Sequence, residues 1–196
     1  MIARVLLILA FGLLSFAAQA SDTERAIAIV KKKCHLCHGH NGEASNAIYP
    51  RLASQNATYI AKQLTDFKSG ERTGTMTDMV VGLKAEDIKA LSLYFSAKPA
   101  LSHKVHDPDF AAVGKYLYEK GNKYSGVAAC ESCHGVKGEG SEKLPRLAGQ
   151  HKRYLKSQLE DFNERKRTND NAVMHTIASK LSEFEIEALS LYISGM

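Results

Sequence analysis

Cysteine and histidine fall into one pattern twice in this chain, as Cys34-His35-Leu36-Cys37-His38-Gly39 and as Cys130-Glu131-Ser132-Cys133-His134-Gly135. The two motifs use all 4 cysteines of the 196 residues, so no thiol is left to pair with a distant segment. A thioredoxin-like redox pair needs a βαβ context, and none is legible here. A zinc site made from two such pairs usually gathers them closer together, inside one small knuckle. A disulfide framework gives no reason for a histidine to follow the second cysteine both times. Covalent haem c attachment uses every residue: two thiols add to the two vinyl groups and the next histidine ligates the iron. Two haem c groups are therefore expected, one on Cys34, Cys37 and His38 and one on Cys130, Cys133 and His134.

An iron held by one histidine needs a second axial group, or an open position for chemistry, and Met/His ligation favours electron transfer at raised potential. Met174 is the methionine available in the second half, since Met196 ends the chain. Both Met76 and Met79 stand in the first half. Counting back seven from the aligned Leu83 and Leu181 reaches Met76 and Met174, which makes Met76 the matched position. Met79 aligns with Ile177 and is the alternative, with packing as its ordinary role. His175 beside Met174 has Thr77 as its counterpart, which argues against ligation. His35 and His40 read as exposed, and His151 is given no chemistry.

Whatever holds these residues has been duplicated. Pro50-Arg51-Leu52-Ala53-Ser54-Gln55 recurs as Pro145-Arg146-Leu147-Ala148-Gly149-Gln150. Tyr59, Ile60, Gln63, Leu64 and Phe67 recur as Tyr154, Leu155, Gln158, Leu159 and Phe162, and Leu91-Ser92-Leu93-Tyr94 as Leu189-Ser190-Leu191-Tyr192. Matched blocks in one order, with small drifts in offset, mark a repeated domain. Apolar spacing predicts helices from Ser21 or Asp22 to Lys33, from Ser54 or Asn56 to Gly70, and over about Ala85–Phe95. The second copy repeats them, and Ser182 with Glu185 forms a capping box. No stretch alternates with period two, so the fold class is all-α. Domain 1 is expected over 21–98, a linker over 99–108 and domain 2 over 109–196. His103 and His106 in the linker read as solvent-exposed, since no third metal ligand stands near them. Arg51 and Arg146 either contact haem propionates or sit in a turn as solvated cations; Tyr59 and Tyr154 read as packing residues.

Met1–Arg4, the apolar Val5–Phe16 and Ala18-Gln19-Ala20 have the layout of a secretory signal spanning 1–20, cleaved near Ala20. The working compartment is then expected outside the cytoplasmic membrane, in a bacterium the periplasm; a retained anchor is the alternative reading.

On these motifs the sequence resembles the dihaem cytochrome c4 family, two class I cytochrome c domains in tandem. The resemblance covers residues 22–196. It rests on the paired Cys-x-x-Cys-His-Gly, on Pro-Arg-Leu-Ala-x-Gln leading to Tyr-x-x-x-Gln-Leu, and on the final Leu-Tyr-Ile-Ser-Gly. It implies two His/Met haems, domains joined face to face with propionates near the interface, and periplasmic electron transfer. It also implies passage of electrons from a quinol-oxidising complex toward a terminal oxidase, with association at the membrane surface. Many members carry adjacent methionines at the distal site, and Met76-Thr77-Asp78-Met79 departs from that.

The formal charge is +5 over the whole chain, +3 over residues 21–98 and +1 over residues 109–196, too weak to suggest nucleic acid. Lys31-Lys32-Lys33 either complements a helix C-terminus or docks an acidic partner or anionic lipid. An electron carrier without a substrate pocket is the first reading. The second is the electron-accepting subunit of a periplasmic dehydrogenase, for instance a flavocytochrome. Peroxidase chemistry needs an open iron position, which a methionine in each half argues against, so no enzymatic activity is expected.

Overall fold

A computed structural model describes residues 21–196; the signal-peptide reading of residues 1–20 lies outside the described residues. Helix α1 runs over 21–29 and passes into a π-helical turn at Val30–Cys34, which delivers the chain directly into α2, His35–His38. The predicted continuous α-helix to Lys33 thus loosens in its last turn, where Lys31, Lys32 and Lys33 face the helix C-terminus. Helices α3 (Ala57–Ser69), α4 (Met76–Met79) and α5 (Ala85–Ser96) complete the first half. Ile60 and Phe67 of α3 and Ile88, Leu91 and Phe95 of α5 meet Ala26, Val30, Val80 and Leu83 in one core.

The second half repeats this order as α6 (Pro108–Lys120), α7 (Glu131–His134), α8 (Lys152–Asn163), α9 (Val173–Ala178) and α10 (Glu183–Gly195). Its core gathers Leu117, Tyr118, Val127, Leu155, Leu181, Ile186, Leu189 and Ile193. Asp107 caps α6 by accepting from the Phe110 N–H at 2.9 Å. Ser182 and Glu185 make the expected capping box. Helices α6 and α10 cross so closely that a Cβ on Gly114 would lie 2.0 Å from the Ala188 carbonyl oxygen. Between α6 and α7 the second half inserts a turn closed by a bridge between Asn122 and Val127, where the first half has the π-turn. The all-α expectation holds among the described residues.

Segment 97–107 is irregular, as expected, but it is pinned. The His103 N–H donates to the Ser194 carbonyl at 2.9 Å, and Leu101 passes so near Gly149 that a Cβ there would be 1.7 Å from the Leu101 oxygen. His106 is exposed, as read from the sequence. His103 is not: it is half-buried, with its Nε2 2.9 Å from His151 Nδ1.

Candidate haem sites

Cys34 ends the π-turn and Cys37 and His38 follow on α2, so the motif occupies little more than one helical turn. Cys130, Cys133 and His134 stand likewise on and just before α7. Cys34, Cys37 and Cys130 are half-buried and Cys133 is exposed, with no disulfide among them.

Both histidines are buried, His38 at 5% and His134 at 7% exposure, and burial lowers the pKa of each. His38 Nδ1 donates to the Pro50 carbonyl at 2.9 Å and His134 Nδ1 to the Pro145 carbonyl at 3.2 Å. A carbonyl can only accept, so each ring carries its proton on Nδ1 and keeps the Nε2 lone pair. That is the arrangement by which a protein orients a ligating histidine from behind. The proline that opens each Pro-Arg-Leu block therefore belongs to the site.

Among the candidate distal residues, Met76 is half-buried and packs against the first core together with Cys34. Met79 at the other end of α4 is 43% exposed. Met174 is half-buried in the first turn of α9. His175 donates through Nδ1 to the Phe162 carbonyl at 2.9 Å. His35 stacks on His40 with ring centroids 4.7 Å apart.

Residues 100–196 match the cytochrome c family model. The chain is 38% identical over 184 residues to cytochrome c4 of Thiocapsa roseopersicina, covering 92% of this chain and 95% of that one. The chain belongs to the cytochrome c4 family. A crystal structure of reduced recombinant cytochrome c4 from Pseudomonas stutzeri superposes with a TM-score of 0.82 at 36% identity, covering 89% of this chain and 98% of that one. A further relative, 34% identical over 202 residues and covering 94% of this chain and 90% of its own length, is the thiosulfate dehydrogenase electron acceptor of Stutzerimonas stutzeri (strain A1501). The fold is thus that of tandem class I cytochrome c, and the chain is a c-type cytochrome: an electron carrier with covalently bound haem c, not an enzyme.

The residues present fit that group. Among the described residues no group of three or more His, Cys, Asp or Glu side chains is gathered as a metal ion would need. What remains is a thiol pair with a pre-oriented imidazole in each half of the cytochrome, the donor set that haem c requires.

Several side chains that the sequence reading left open, or did not single out, join the two halves of the cytochrome. Arg51 spends its guanidinium on the second half, donating to the Gly149 carbonyl at 2.6 Å, while Arg146 engages through its backbone N–H, which donates to Gln55 Oε1. The arginines that meet at the centre are Arg72 and Arg167. Arg72 donates to Gln63 at 2.7 Å, to Gln158 at 2.7 Å and to the Tyr154 hydroxyl at 3.1 Å. Arg167, only 9% exposed, mirrors it onto Gln158 at 2.8 Å, Gln63 at 3.0 Å and the Tyr59 hydroxyl at 2.8 Å. Tyr59 and Tyr154 are thus half-buried packing residues whose hydroxyls accept from an arginine of the other half. The signal was in the sequence, since Arg72 and Arg167 keep the offset of the Tyr, Gln and Phe pairs.

Proposed function

We propose that this cytochrome relays single electrons between redox proteins through two haem c groups. The first is attached at Cys34 and Cys37 and held by His38 and Met76; the second is attached at Cys130 and Cys133 and held by His134 and Met174. When bound, the haem iron supplies the one-electron ferrous–ferric couple. The observation that carries this reading is the repeated histidine geometry: Nδ1 spent on a proline carbonyl leaves Nε2 directed by its own hydrogen bond in both halves. The burial of Met76 against the exposure of Met79 supports Met76 as the first distal ligand. Arg72 and Arg167, whose side chains hydrogen-bond only to neutral acceptors, provide cationic charge where two anionic propionates would need it.

Division at residues 98 and 109 into two domains and a linker agrees with two separate cores. The setting we infer is the periplasm, after cleavage near Ala20, with the donor a quinol-oxidising complex, the acceptor a terminal oxidase, and contact with the membrane surface. Among the described residues no helix is long and apolar enough to cross a membrane. A second reading, acceptor for a periplasmic dehydrogenase, is favoured by relatives named as electron acceptors of thiosulfate dehydrogenase.

Spectroelectrochemical titration of the haem-loaded protein, repeated under carbon monoxide, tests the ligation. Two high-potential steps indifferent to carbon monoxide are expected; one low-potential or ligand-binding step would overturn the His/Met assignment in that half. Mixing the oxidised protein with a quinol-oxidising complex or with thiosulfate dehydrogenase plus thiosulfate then separates the two readings by which donor reduces it.

A further inference from the structure

The two halves differ between their matched arginine and their matched methionine. Three residues, Thr73-Gly74-Thr75, separate Arg72 from Met76, and six, Thr168-Asn169-Asp170-Asn171-Ala172-Val173, separate Arg167 from Met174. The longer segment has contacts in two directions. Toward the first half, Asn169 Nδ2 donates to Gln63 Oε1 at 3.0 Å and to the Asp66 carboxylate, while Lys62 Nζ donates to the Asn169 carbonyl at 2.9 Å. Toward its own half, one oxygen of Asp170 accepts from the backbone N–H groups of Met174 and His175, and the other accepts from Ala172 at 3.3 Å. Asn171 and Ala172 are held at φ 55° and 64° between these two sets of bonds. In the first half the shorter turn into α4 is closed locally, with Thr77 Oγ1 accepting from the Gly74 N–H at 3.2 Å.

We infer that Asp170 is a positioning residue for Met174 and that Asn169 ties this brace to the first half, so that the grip on the second distal methionine depends on the halves being closed. The inference rests on Met174 as a ligand. The physical argument is that a carboxylate accepting backbone N–H groups is among the stronger protein hydrogen bonds. The backbone it fixes is that of the methionine itself. A two-residue bridge bonded at both ends transmits displacement, because Asn169 and Asp170 are adjacent and cannot move independently. The turn before Met76 is closed instead by the Thr77 hydroxyl, which accepts from the Gly74 N–H and makes no bond to the other half.

The test uses the haem-loaded full chain and follows the long-wavelength methionine–iron absorption of the oxidised protein as pH is raised until methionine is displaced. Met174→Ala defines the portion of that absorption belonging to the second half. Asp170→Ala is expected to lower the alkaline midpoint of that portion by about one pH unit, the tenfold loss expected for removing a charged hydrogen bond. Asp170→Asn, which preserves shape and one accepting oxygen, shifts it less. Asn169→Ala shifts it in the same direction while every substituent around Met174 is intact, and the first-half portion stays in place in all variants. An unchanged midpoint in both Asp170 variants would overturn the brace, and an unchanged midpoint in Asn169→Ala would overturn the coupling to the first half. If Met174→Ala removed no absorption, the ligand assignment itself would fall, and the inference with it.

Discussion

At the scale of single residues, attachment chemistry and ligand orientation are separate jobs done by neighbouring side chains. The thiols need only be three positions apart on a helical turn, but the imidazole has to be turned, and Pro50 and Pro145 do this through their carbonyls. Replacing Met174 with alanine is expected to open the second haem to carbon monoxide and lower its potential with the first nearly unmoved, read by ligand binding and redox titration. In the first half Met76→Ala should do the same and Met79→Ala should not. Arg167→Ala removes the hub of the central cluster, leaving Tyr59, Gln63 and Gln158 short of a donor. A cost of about 3 kcal/mol is expected in chemical unfolding. The two motifs that carry the thiols and the histidines were legible from spacing alone, because a pattern within one helical turn is local. For the arginine hub the repeat offset of Arg72 and Arg167 was the one signal in the sequence, since hydrogen bonding to acceptors 82 to 108 positions away leaves no local period.

Elements are where the duplicated sequence and the duplicated structure part company. The capping box of α10 and the ends of α5 follow from short-range rules and were legible. The π-turn was not: Val30–Cys34 reads as ordinary helix, and nothing in its local spacing marks the underwinding. Asn56 reads as an N-cap for α3, yet its side chain leaves the helix and donates across the interface to the carbonyls of Ser141 at 2.6 Å and Leu144 at 2.8 Å. Helices α6 and α10 show how one residue sets an element's distance. Gly114→Ala would drive a methyl against the Ala188 carbonyl, and overpacking of this kind is expected to cost about 2 kcal/mol. Thermal unfolding of the haem-loaded protein checks it.

For the whole molecule, the interface is built from the repeat itself. Gln55 Oε1 accepts from the Arg146 N–H at 2.7 Å and its Nε2 donates to the Arg146 carbonyl at 2.9 Å; Gln150 does the same to Arg51 at 2.8 and 3.0 Å. Each buried glutamine thus completes the backbone of the other half. Gln55→Leu and Gln150→Leu should each cost roughly 2 kcal/mol by stranding an N–H and a carbonyl. The double variant should raise amide exchange along residues 51–55 and 146–150. The pinned linker adds a pH-dependent contribution. His151 Nε2 donates to the Ala44 carbonyl at 2.7 Å, so its Nδ1 accepts from His103. A proton on that Nδ1 would set two N–H groups against each other. Burial, with Arg51 nearby, lowers both pKa values below the ordinary 6.5. The unfolded chain therefore binds more protons than the folded one, so the stability is fully present above pH 6.5 and is lost as pH falls through the depressed values. Thermal unfolding midpoints should drop between pH 7 and pH 5, by less in His151→Gln.

By itself, then, the sequence determined the covalent chemistry, the helical class and the duplication, because each of these is written in spacings of one helical turn or in a repeat. The tertiary structure alone decided that Gln55, Gln150, Arg72, Arg167 and His103 are interface residues and that Asn169-Asp170 bridges two halves. Their partners lie far along the chain, and hydrogen bonds formed only after two cores have been brought together leave no trace in local periodicity.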